Sequence, residues 1–427
     1  MPVDLSIVIP AADEGPNLLL LIPQVRTVLD ALQIDYEILI VLPARDADSV
    51  QAGWGRGVGV LRQERRGYGG ALLRGFSEAK GRYVLTMDAD LSHPPTFIRA
   101  LWEARGSAEV VIASRYVQGG TAKMPLARRL LSGVLNTFFS RGLSLDIHDM
   151  SSGFRLYDAA VLENQDRYAA VDFDILQRIL VHAYAEGWRI REVPFAYAPR
   201  RHGGSHARVV QFGLAYLRTF AMLWKLRNSI LAADYDDRAH DSAIWLQRYW
   251  QRSRHKHVTD LIAKQGRVLD VGCGSSRIIA ALPPGSVAID ILHRKLRYAR
   301  KFGRPLVQAS GFQLPVRDKS FPCVLCSQVI EHVPKGSPIL DELCRVLEPG
   351  GRLVLGTPDY ANWQWVWIEK AYGLAAPGGY ADEHIAHYTQ DELRQTFERR
   401  GFVVEEVRYI LQGELIMALR KKNPATA

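Results

Sequence analysis

The stretch MDADLSHPP (residues 87–95) follows the apolar run RYVLT (82–86) and places two carboxylates one residue apart. The apolar run predicts a strand, and parallel α/β sheets bind ligands in the crevice beyond the carboxyl ends of their strands. Two carboxylates at that place are hard oxygen ligands that suit Mg²⁺ or Mn²⁺ bridging a diphosphate. An acidic pair can simply solvate a loop, but the preceding strand and the following Pro-Pro pair favour a site. The stretch therefore predicts an α/β domain that handles a nucleotide-sugar.

The length and charge of the chain limit the classes of protein to consider. A chain of 427 residues exceeds what one hydrophobic core usually serves, so two domains are expected. The net charge of +9 favours anionic partners such as phosphates, anionic lipid or nucleic acid. No aromatic-basic platform or known nucleic-acid motif appears, so no nucleic-acid partner is expected.

The four cysteines argue against a disulfide framework in a chain of this length. Cys323 and Cys326 have a spacing that can bind zinc, but no second pair follows. Both lie in the apolar run 321–329, which favours a buried strand.

Two observations bear on the cellular location. The N-terminal residues 1–4 lack the basic segment of a signal peptide. The sequence contains no window of about 18 uncharged apolar residues, so no membrane-spanning helix is expected. We expect a cytoplasmic protein that is peripheral at the inner face of the cell membrane.

Strands alternate with helices twice along the chain, which predicts an α/β fold with two doubly wound domains. We predict a first domain over 1–230, a connecting helical segment over 231–258 and a second domain over 259–422. The predicted strands are 5–10, 36–42, 58–61, 83–87 and 110–113 in the first domain and 268–271, 287–291, 324–327 and 352–356 in the second.

The first domain contains a series of motifs in a fixed order. They are SIVIP (6–10) with DE (13–14), GYGGA (67–71), DADLSHPP (88–95), SRY (114–116), GG (119–120), Arg128 with Ser132 and Asn136, Asp149 with SGFR (152–155), EVP (192–194), and Arg200 with Gly203 and Ser205. Together they resemble the family 2 glycosyltransferases, whose fold is termed GT-A, and among these the dolichol- and polyprenyl-phosphate mannose synthases.

The resemblance implies a donor site at the ends of the first and fourth predicted strands. Pro10, Glu14 and Asp88 would bind the nucleotide-sugar, which is a GDP- or UDP-sugar. Asp88 and Asp90 would hold Mg²⁺ or Mn²⁺, which stabilises the charge on the leaving diphosphate.

The resemblance also implies an acceptor site for the phosphate of a polyprenyl-phosphate lipid. Arg115, Arg128 and Ser132 would hold that phosphate, and Arg200 would lie near the donor phosphates. Together with Asp90, the three arginines form the implied catalytic set. The lipid phosphate is already anionic and needs no general base, and the implied transfer inverts the anomeric carbon.

The chain differs from the family pattern at three places. The second predicted strand is followed by LPARD (42–46) instead of Asp-Asp-Gly-Ser, although Asp46 or Asp48 offers a substitute carboxylate. Ser92 replaces a common Gln, and His206 replaces a common Lys. These differences motivate an alternative hypothesis, in which the first domain is a degenerate docking module for the membrane or the substrate.

The segment 209–227, VVQFGLAYLRTFAMLWKLR, has helical periodicity. Residues 199–227 contain six basic residues, at 200, 201, 208, 218, 225 and 227, and no acidic ones. This pattern is typical of a helix at an anionic membrane surface, and a core helix between the domains is the alternative. A lipid-phosphate acceptor favours the membrane surface.

The second domain opens with VLDVGCG (268–274), a strand that turns into a helix through two glycines. Asp290 follows about 20 residues later, where a carboxylate can accept ribose hydroxyls. A nicotinamide dinucleotide is one interpretation, but the turn lacks the G-x-G-x-x-G pattern. Further motifs are LP (314–315), QVIEHV (328–333), LEPGG (347–351) and GF (401–402), and the ensemble over 238–422 resembles the class I, type 11-like S-adenosylmethionine-dependent methyltransferases.

This second resemblance implies a binding site for S-adenosylmethionine. Gly272 and Gly274 would lie beside the methionine part, Asp290 would bind the ribose, and Asp270 also belongs to the implied cofactor-binding residues. Completing the implied set, Ile291 and Phe312 would flank the adenine, and Gln328 would adjoin the sulfonium.

Three histidines are candidates for a general base in methyl transfer: His332, His384 and His387. His384 is favoured because it lies in DEHIAHY (382–388), a loop that such enzymes use to cover the acceptor. Trp363, Trp365 and Trp367 could line a sugar or lipid pocket, but packing as a core helix is favoured.

The two domains together predict a bifunctional enzyme. The first would transfer a sugar to a polyprenyl-phosphate-type lipid, and the second would methylate a related glycan, sugar or lipid. The identities of the sugar, the nucleotide and the methyl acceptor, and the oligomeric state, stay open at this point.

Overall fold

The computed structural model describes residues 3–43, 57–122, 126–164, 168, 174–197, 209–375 and 384–423. Within its helices and strands, the side chains of residues 122, 126–128, 131, 209–216 and 371–375 lie outside this description. The chain forms two compact units: Met1–Tyr184 with Trp188–Trp224, and Ala185–Gly187 with Lys225–Ala427. The domain boundaries expected from the sequence stay a prediction.

The helices and strands up to residue 228 alternate as the sequence pattern predicts. In chain order they are β1 (Leu5–Pro10), α1 (Gly15–Leu32), β2 (Tyr36–Leu42), β3 (Val58–Arg62), α2 (Gly67–Glu78), β4 (Tyr83–Thr86), α3 (Ile98–Ala104), β5 (Val110–Ser114), β6 (Thr121–Ala122), α4 (Leu126–Gly142), β7 (Arg155–Asp158), α5 (Ile175–Ala185), β8 (Ile190–Pro194), β9 (Ala196–Tyr197) and α6 (Val209–Asn228).

Seven of these strands form one sheet in the order β3-β2-β1-β4-β7-β5-β8. β4 lies at its centre, and β1 pairs in parallel with both β2 and β4, whereas β7 is antiparallel to β4 and β5. Strands β6 and β9 form a separate two-stranded sheet. All strands of the seven-stranded sheet except β7 run in the same direction, so their carboxyl ends meet at one edge.

The core of the first unit lies between this sheet and its helices. Apolar residues of α1 recur with helical spacing and are buried together with alternate residues of β1. This buried set includes Leu5, Ile7, Ile9, Leu18, Leu21, Ile22, Val25 and Leu29. Each fully buried leucine or isoleucine stabilises the fold by roughly 1.5–3 kcal/mol, so the central strands are held firmly.

The second unit repeats the alternation. Its elements are α7 (Tyr235–His240), α8 (Trp245–Ile262), β10 (Val268–Val271), α9 (Ile278–Ala281), β11 (Val287–Asp290), α10 (His293–Ala299), β12 (Leu306–Gln308), β13 (Phe321–Ser327), α11 (Ile339–Val346), β14 (Leu347–Pro358), α12 (Trp363–Ala375), α13 (Gln390–Arg399), β15 (Phe402–Ile410) and β16 (Glu414–Lys421).

Its seven-stranded sheet has the order β12-β11-β10-β13-β14-β16-β15. The first five strands in this order are parallel, and β16 is antiparallel to both β14 and β15. The strand order reverses at β10, between β11 and β13, which is where such sheets open a crevice for a ligand. Cys323 and Cys326 are both fully buried in β13, as the apolar run predicts.

The two sheets confirm the predicted α/β fold with two doubly wound domains. The tryptophan-bearing segment is a helix, α12, in which Trp365 is buried while Trp363 and Trp367 are about two thirds exposed. Among the helices in the described part of the chain, none is both long enough and apolar enough to cross a membrane.

Candidate active sites

The first candidate site lies at the carboxyl ends of β1 and β4. Val8 pairs with Thr86 in parallel register, and the backbone N–H of Met87 donates to the Val8 carbonyl at 3.2 Å. Pro10 and the acidic pair therefore emerge at the same edge of the sheet. Leu91 follows with φ of +60°, a conformation that residues other than glycine rarely adopt, so the chain turns sharply after Asp90.

Two aromatic side chains position Asp88, one through its carboxylate and one through its backbone. The Tyr68 hydroxyl donates to its Oδ1 at 3.1 Å. The backbone N–H of Asp88 donates to Nδ1 of His93 at 2.9 Å, so a neutral imidazole carries its proton on Nε2, which lies 3.8 Å from Asp88 Oδ2. Burial lowers the pKa of His93 and keeps the ring neutral. Asp88 itself remains 29% exposed and accessible to a ligand.

Asp90 is more deeply buried than Asp88, at 3% exposure. Its Oδ1 accepts hydrogen bonds from the backbone N–H of Ser92 at 3.0 Å and from the Ser92 hydroxyl at 2.5 Å. Ser92, which replaces a common Gln in the family pattern, thus orients the second carboxylate. The donor set of two carboxylates fits a hard divalent ion such as Mg²⁺ or Mn²⁺.

Gly153 closes this site from the neighbouring loop. A Cβ atom on this residue would lie 2.6 Å from the Tyr68 hydroxyl and 3.4 Å from Asp88 Oδ1. The Gly153 carbonyl accepts a hydrogen bond from the Thr86 hydroxyl at 2.7 Å. Any larger side chain would therefore displace the tyrosine that orients Asp88.

Arg115 is engaged by a buried carboxylate. Its Nε donates to Asp149 Oδ2 at 2.8 Å and its Nη2 to Asp149 Oδ1 at 2.7 Å, while the backbone N–H of Arg115 also donates to Oδ2 at 3.0 Å. Burial raises the pKa of Asp149, but the hydrogen bonds and charge of Arg115 outweigh it, so the pKa lies below its usual value. The pair fixes Arg115 at the carboxyl end of β5.

A second carboxylate holds the loop that carries Asp149. Glu192 accepts hydrogen bonds from the backbone N–H groups of His148 and Asp149, both at 2.8 Å. Nη2 of Arg115 also donates to the Ser151 hydroxyl at 2.7 Å, and Ser151 lies 3.3 Å from the Ser132 hydroxyl on α4. The structure thus brings together Arg115 and Ser132, two of the predicted acceptor residues.

The structure describes only some of the other residues predicted for this site. Glu14 precedes α1 and accepts a hydrogen bond from Asn17. The backbone of Arg128 is in the first turns of α4, one turn before Ser132, but its side chain lies outside the described residues. Arg200 lies outside them as well, as do five residues named with the sequence motifs: Gly203, Ser205, His206, Asp46 and Asp48.

The second candidate site lies at the carboxyl ends of β10, β11 and β13. Gly272 has φ of +75°, and a Cβ atom there would lie 2.2 Å from a Val329 methyl group, so only glycine fits. Gly274 also has a positive φ, +56°, and its backbone N–H donates to Asp290 Oδ2 at 2.8 Å. The turn after β10 is thereby fixed to the carboxylate at the end of β11.

Several polar atoms at this edge make no hydrogen bond to the described part of the protein. They are Oδ2 of Asp270, Oγ of Ser327 and Nε2 of Gln328. Gln328 also has φ of +60°, a strained conformation of the kind that clusters at functional sites. Such unsatisfied polar atoms are rare in folded proteins, and together they fit a polar ligand such as the amino acid part of S-adenosylmethionine.

Burial and the charge of Asp290 raise the pKa of Asp270 to about 7. Ile291 is 62% exposed and Phe312 is 42% exposed, so both apolar side chains are accessible where the sequence predicts the adenine. The structure therefore brings the predicted cofactor residues to one edge of the second sheet.

His384 is nearly buried and belongs to a polar cluster. Its Nδ1 lies 2.9 Å from Glu369 Oε1 and 2.8 Å from the Tyr360 hydroxyl. Burial lowers the pKa of His384, against the opposing effect of Glu369. His387, the other histidine of the loop, is exposed and stacks on Tyr360 at a ring separation of 4.0 Å.

Several residues that organise these sites have no role in the predictions made from the sequence: Tyr68, Asp149 and Glu369. Tyr68 and Asp149 lie within two of the family motifs. A polar side chain at a motif position could have indicated that each of them orients a site residue. Glu369 lies outside any motif, because its role depends on the packing of α12 against the loop around His384, which no local pattern reveals.

Asp149→Asn removes the charge that compensates the largely buried Arg115 and keeps the shape of the side chain. We expect it to lower the free energy of unfolding of the first unit by about 3 kcal/mol, measured by urea denaturation. Asp146→Asn, at an exposed position in the same loop, is the control and should change it by less than about 0.5 kcal/mol. Equal stability of the two variants would contradict the assigned role of the ion pair.

Two family models match the chain. Residues 6–165 match the model described as glycosyl transferase family 2, and residues 269–355 match the model described as methyltransferase domain. A dolichol-phosphate mannosyltransferase of Pyrococcus furiosus is 32% identical over 238 residues, which cover 53% of this chain and 65% of that protein. A polyprenol monophosphomannose synthase of Mycolicibacterium smegmatis is 36% identical over 171 residues, which cover 36% of this chain and 63% of that protein. The chain thus spans slightly less than two thirds of each relative.

Solved structures of methyltransferases are similar to part of the chain. A magnesium protoporphyrin IX methyltransferase of Synechocystis with bound SAH is 16% identical, with a TM-score of 0.35, and the match covers 42% of this chain and 89% of that one. An S-adenosylmethionine-dependent methyltransferase of Mesorhizobium loti is 17% identical, with a TM-score of 0.31, covering 39% of this chain and 96% of that one. The two family models confirm the two resemblances that the sequence motifs indicate: residues 6–165 match glycosyl transferase family 2, and residues 269–355 match a methyltransferase domain.

Proposed function

We propose that this protein is a bifunctional transferase. Its first domain transfers a sugar from a nucleotide-sugar to a polyprenyl phosphate, and its second domain uses S-adenosylmethionine to methylate a related glycan, sugar or lipid. The observation that carries the proposal is the placement of Asp88 and Asp90 at the carboxyl edge of a sheet within the family 2 match, in the same chain as the unsatisfied polar atoms beside Gly272.

On the donor side, Asp88 and Asp90 would hold Mg²⁺ or Mn²⁺. The bound ion would supply charge neutralisation for the leaving diphosphate. The protein's own contribution is orientation: Tyr68 and Ser92 each donate a hydrogen bond to one of the two carboxylates, so both are positioned before the ligand arrives. Pro10 and Glu14 flank the same edge and would contact the nucleoside.

On the acceptor side, the lipid phosphate would be held by Arg115, Arg128 and Ser132. Arg115 is fixed by Asp149, so it would present its charge in one orientation. The anionic phosphate oxygen attacks the anomeric carbon as the bond to the diphosphate breaks. A single displacement of this kind inverts that carbon, and Arg200 would stabilise the departing charge.

The names of the relatives suggest the sugar to test first. Both names refer to mannose and to a dolichol or polyprenol phosphate, so a mannose nucleotide is the favoured donor, with GDP-mannose tested first and UDP-sugars next. The altered loop at 42–46 is where a different nucleotide or sugar would be selected.

In the second domain, the ligand would be bound by groups that the fold leaves unsatisfied. Asp270 would accept a hydrogen bond from the ammonium group of the methionine part, and Gln328 would lie beside the sulfonium. Asp290 would accept the ribose hydroxyls. Exposed Ile291 and Phe312 would cover the two faces of the adenine.

The lipid acceptor implies contact with a membrane surface, and α4 offers an apolar face for it. Leu130, Val134 and Phe138 follow one another at intervals of four residues and are between 43% and 65% exposed. Neighbouring Arg129 and Arg141 are also exposed, and basic residues beside an apolar face favour anionic lipid. In α6, Leu223 is buried and the Phe220 ring packs 4.5 Å from Phe138, whereas Leu217 and Met222 are 57% and 41% exposed.

Sugar transfer is tested with purified full-length chain, GDP-mannose, Mn²⁺ and a polyprenyl phosphate, with the lipid product measured by mass spectrometry. We expect a mannosyl-phosphoryl lipid, and a loss of at least about 100-fold in rate for Asp90→Asn, since the ligand charge is removed. Asp158→Asn, at the far end of the antiparallel strand β7, is the control. Absence of product with GDP-mannose and with UDP-sugars, while S-adenosylhomocysteine still binds, would favour the docking-module hypothesis.

Cofactor binding is expected to depend on pH through Asp270. Its pKa of about 7 means that the carboxyl is protonated below neutrality and cannot pair with an ammonium group. The affinity for S-adenosylhomocysteine, measured by calorimetry, should fall between pH 8 and pH 6, by up to about tenfold per unit below the pKa. Asp270→Asn should be weaker and flat over this range, whereas an exposed control, Asp260→Asn, should follow the wild type. A flat wild-type profile would contradict the role of Asp270.

Membrane contact is tested by flotation with vesicles that contain anionic lipid. Val134→Asp should reduce the bound fraction at least threefold, because it places a charge on the apolar face of α4. Leu19→Asp, at an equally exposed position of α1, should bind like the wild type. Equal binding of both variants would contradict a role for the face formed by Leu130, Val134 and Phe138.

A further inference from the structure

A cluster of three metal-ligating side chains lies beside the cofactor edge of the second unit. Glu331, His332 and His384 each offer one ligand atom, and these atoms all lie within 4.8 Å of one another. The first two follow β13, and His384 comes from the segment before α13. Residues more than 50 positions apart in the chain are therefore brought to one point.

The backbone holds the two segments together. The backbone N–H groups of Ile385 and Ala386 both donate to the Glu331 carbonyl, at 2.8 and 3.0 Å. The rings of His332 and His384 have centroids 5.1 Å apart. The proximity of the three side chains thus follows from the fold and does not depend on flexible surface groups.

The Glu331 side chain is a second observation that points to a bound ligand, besides the proximity of the three side chains. It is completely buried, and its Oε2 accepts a hydrogen bond from the Thr357 hydroxyl at 3.1 Å. Its Oε1 is also buried and has no hydrogen-bond partner in the part of the chain that the structure describes. A buried carboxylate oxygen without a partner is costly, and a cation at the cluster would satisfy it.

His384 has the environment of a metal-binding histidine. Its Nδ1 is held by Glu369 at 2.9 Å and by the Tyr360 hydroxyl at 2.8 Å. A carboxylate on one ring nitrogen fixes the tautomer and makes the other nitrogen a better ligand, which is the usual arrangement around metal-bound histidine. Nε2 is then the nitrogen that faces a metal ion.

We propose that Glu331, His332 and His384 form a binding site for a divalent first-row transition metal ion, with Zn²⁺ as the favoured ion. Two imidazoles and one carboxylate are a donor set that zinc prefers, whereas Mg²⁺ prefers oxygen ligands alone. The site is therefore distinct in chemistry from the pair Asp88 and Asp90. No part of the methyltransferase proposal requires it.

The position of the site suggests what the ion would do. Thr357, which binds Glu331, directly follows Gly356, whose carbonyl accepts the backbone N–H of Gln328 at 2.8 Å. The ion would thus lie next to the residue proposed to adjoin the sulfonium. Three protein ligands leave a coordination position open, and an oxygen of the methyl acceptor would fill it. This last step rests on the proposed methyltransferase function.

The test uses full-length protein stripped of metal and carrying Asp88→Asn and Asp90→Asn, so that the first site cannot bind the ion. Co²⁺ is titrated as a spectroscopic substitute and is then displaced with Zn²⁺. We expect one equivalent of Co²⁺ per chain, with visible absorption bands that Zn²⁺ abolishes. Glu331→Gln and His384→Gln should each weaken Co²⁺ binding at least tenfold.

His387→Gln is the matched control, because His387 lies in the same loop but outside the cluster, and it should bind Co²⁺ like its parent. Calorimetry with S-adenosylhomocysteine reports separately on folding and on the proposed methyltransferase function. If Glu331→Gln no longer binds S-adenosylhomocysteine, its weaker Co²⁺ binding could reflect misfolding. The Co²⁺ affinities of His332→Gln and His384→Gln then test the metal site. Absence of Co²⁺ binding in the parent, or equal affinity in the cluster variants and His387→Gln, would overturn the metal site even if the cofactor binds.

Discussion

Parallel strand pairing is the constraint on which both candidate sites depend. In the first unit, the register of β1 with β4 places Pro10 and Asp88 at one edge. In the second, the register of β10 with β11 and β13 does the same for Gly272, Asp290 and Gln328. A shift of one residue in either pairing would turn the buried side chains of the strand to the other face and would displace these residues by about 3.3 Å along the strand direction. The buried apolar strands that fix the register therefore also fix the chemistry.

The charged side chains of the first site are held in place by residues that are not themselves predicted site residues. Glu192 holds the loop of Asp149, Asp149 holds Arg115, and Tyr68 holds Asp88. In the second unit the pattern is reversed, because Asp270 and Glu331 each retain a buried oxygen without a hydrogen-bond partner among the described residues. The first site is thus preorganised by internal pairs, whereas in the proposed function a bound ligand would satisfy these oxygens of the second.

The sequence predicts the fold well because the apolar runs of the central strands are short, buried and separated by clear turns. It also predicts that Asp88, Asp90, Gly272 and Asp290 lie at strand ends, since a strand followed by a turn leaves a local pattern, while their roles in binding stay a prediction. It could not predict the pairing of Glu369 with His384, or the exposed face of α4, which depend on tertiary packing. The roles proposed for Arg128 and Arg200 rest on the sequence alone, because their side chains lie outside the described residues.

The central claim is that one chain carries two separate ligand crevices, each at the carboxyl edge of its own sheet. A crystal structure of the full chain with Mn²⁺, GDP and S-adenosylhomocysteine tests this most directly. We predict the manganese ion within bonding distance of Asp88 or Asp90, with the diphosphate beside it, and the nucleoside thioether between Gly272 and Asp290. A diphosphate bound elsewhere, or a turn at Gly272 with no thioether beside it at saturating concentration, would contradict the account.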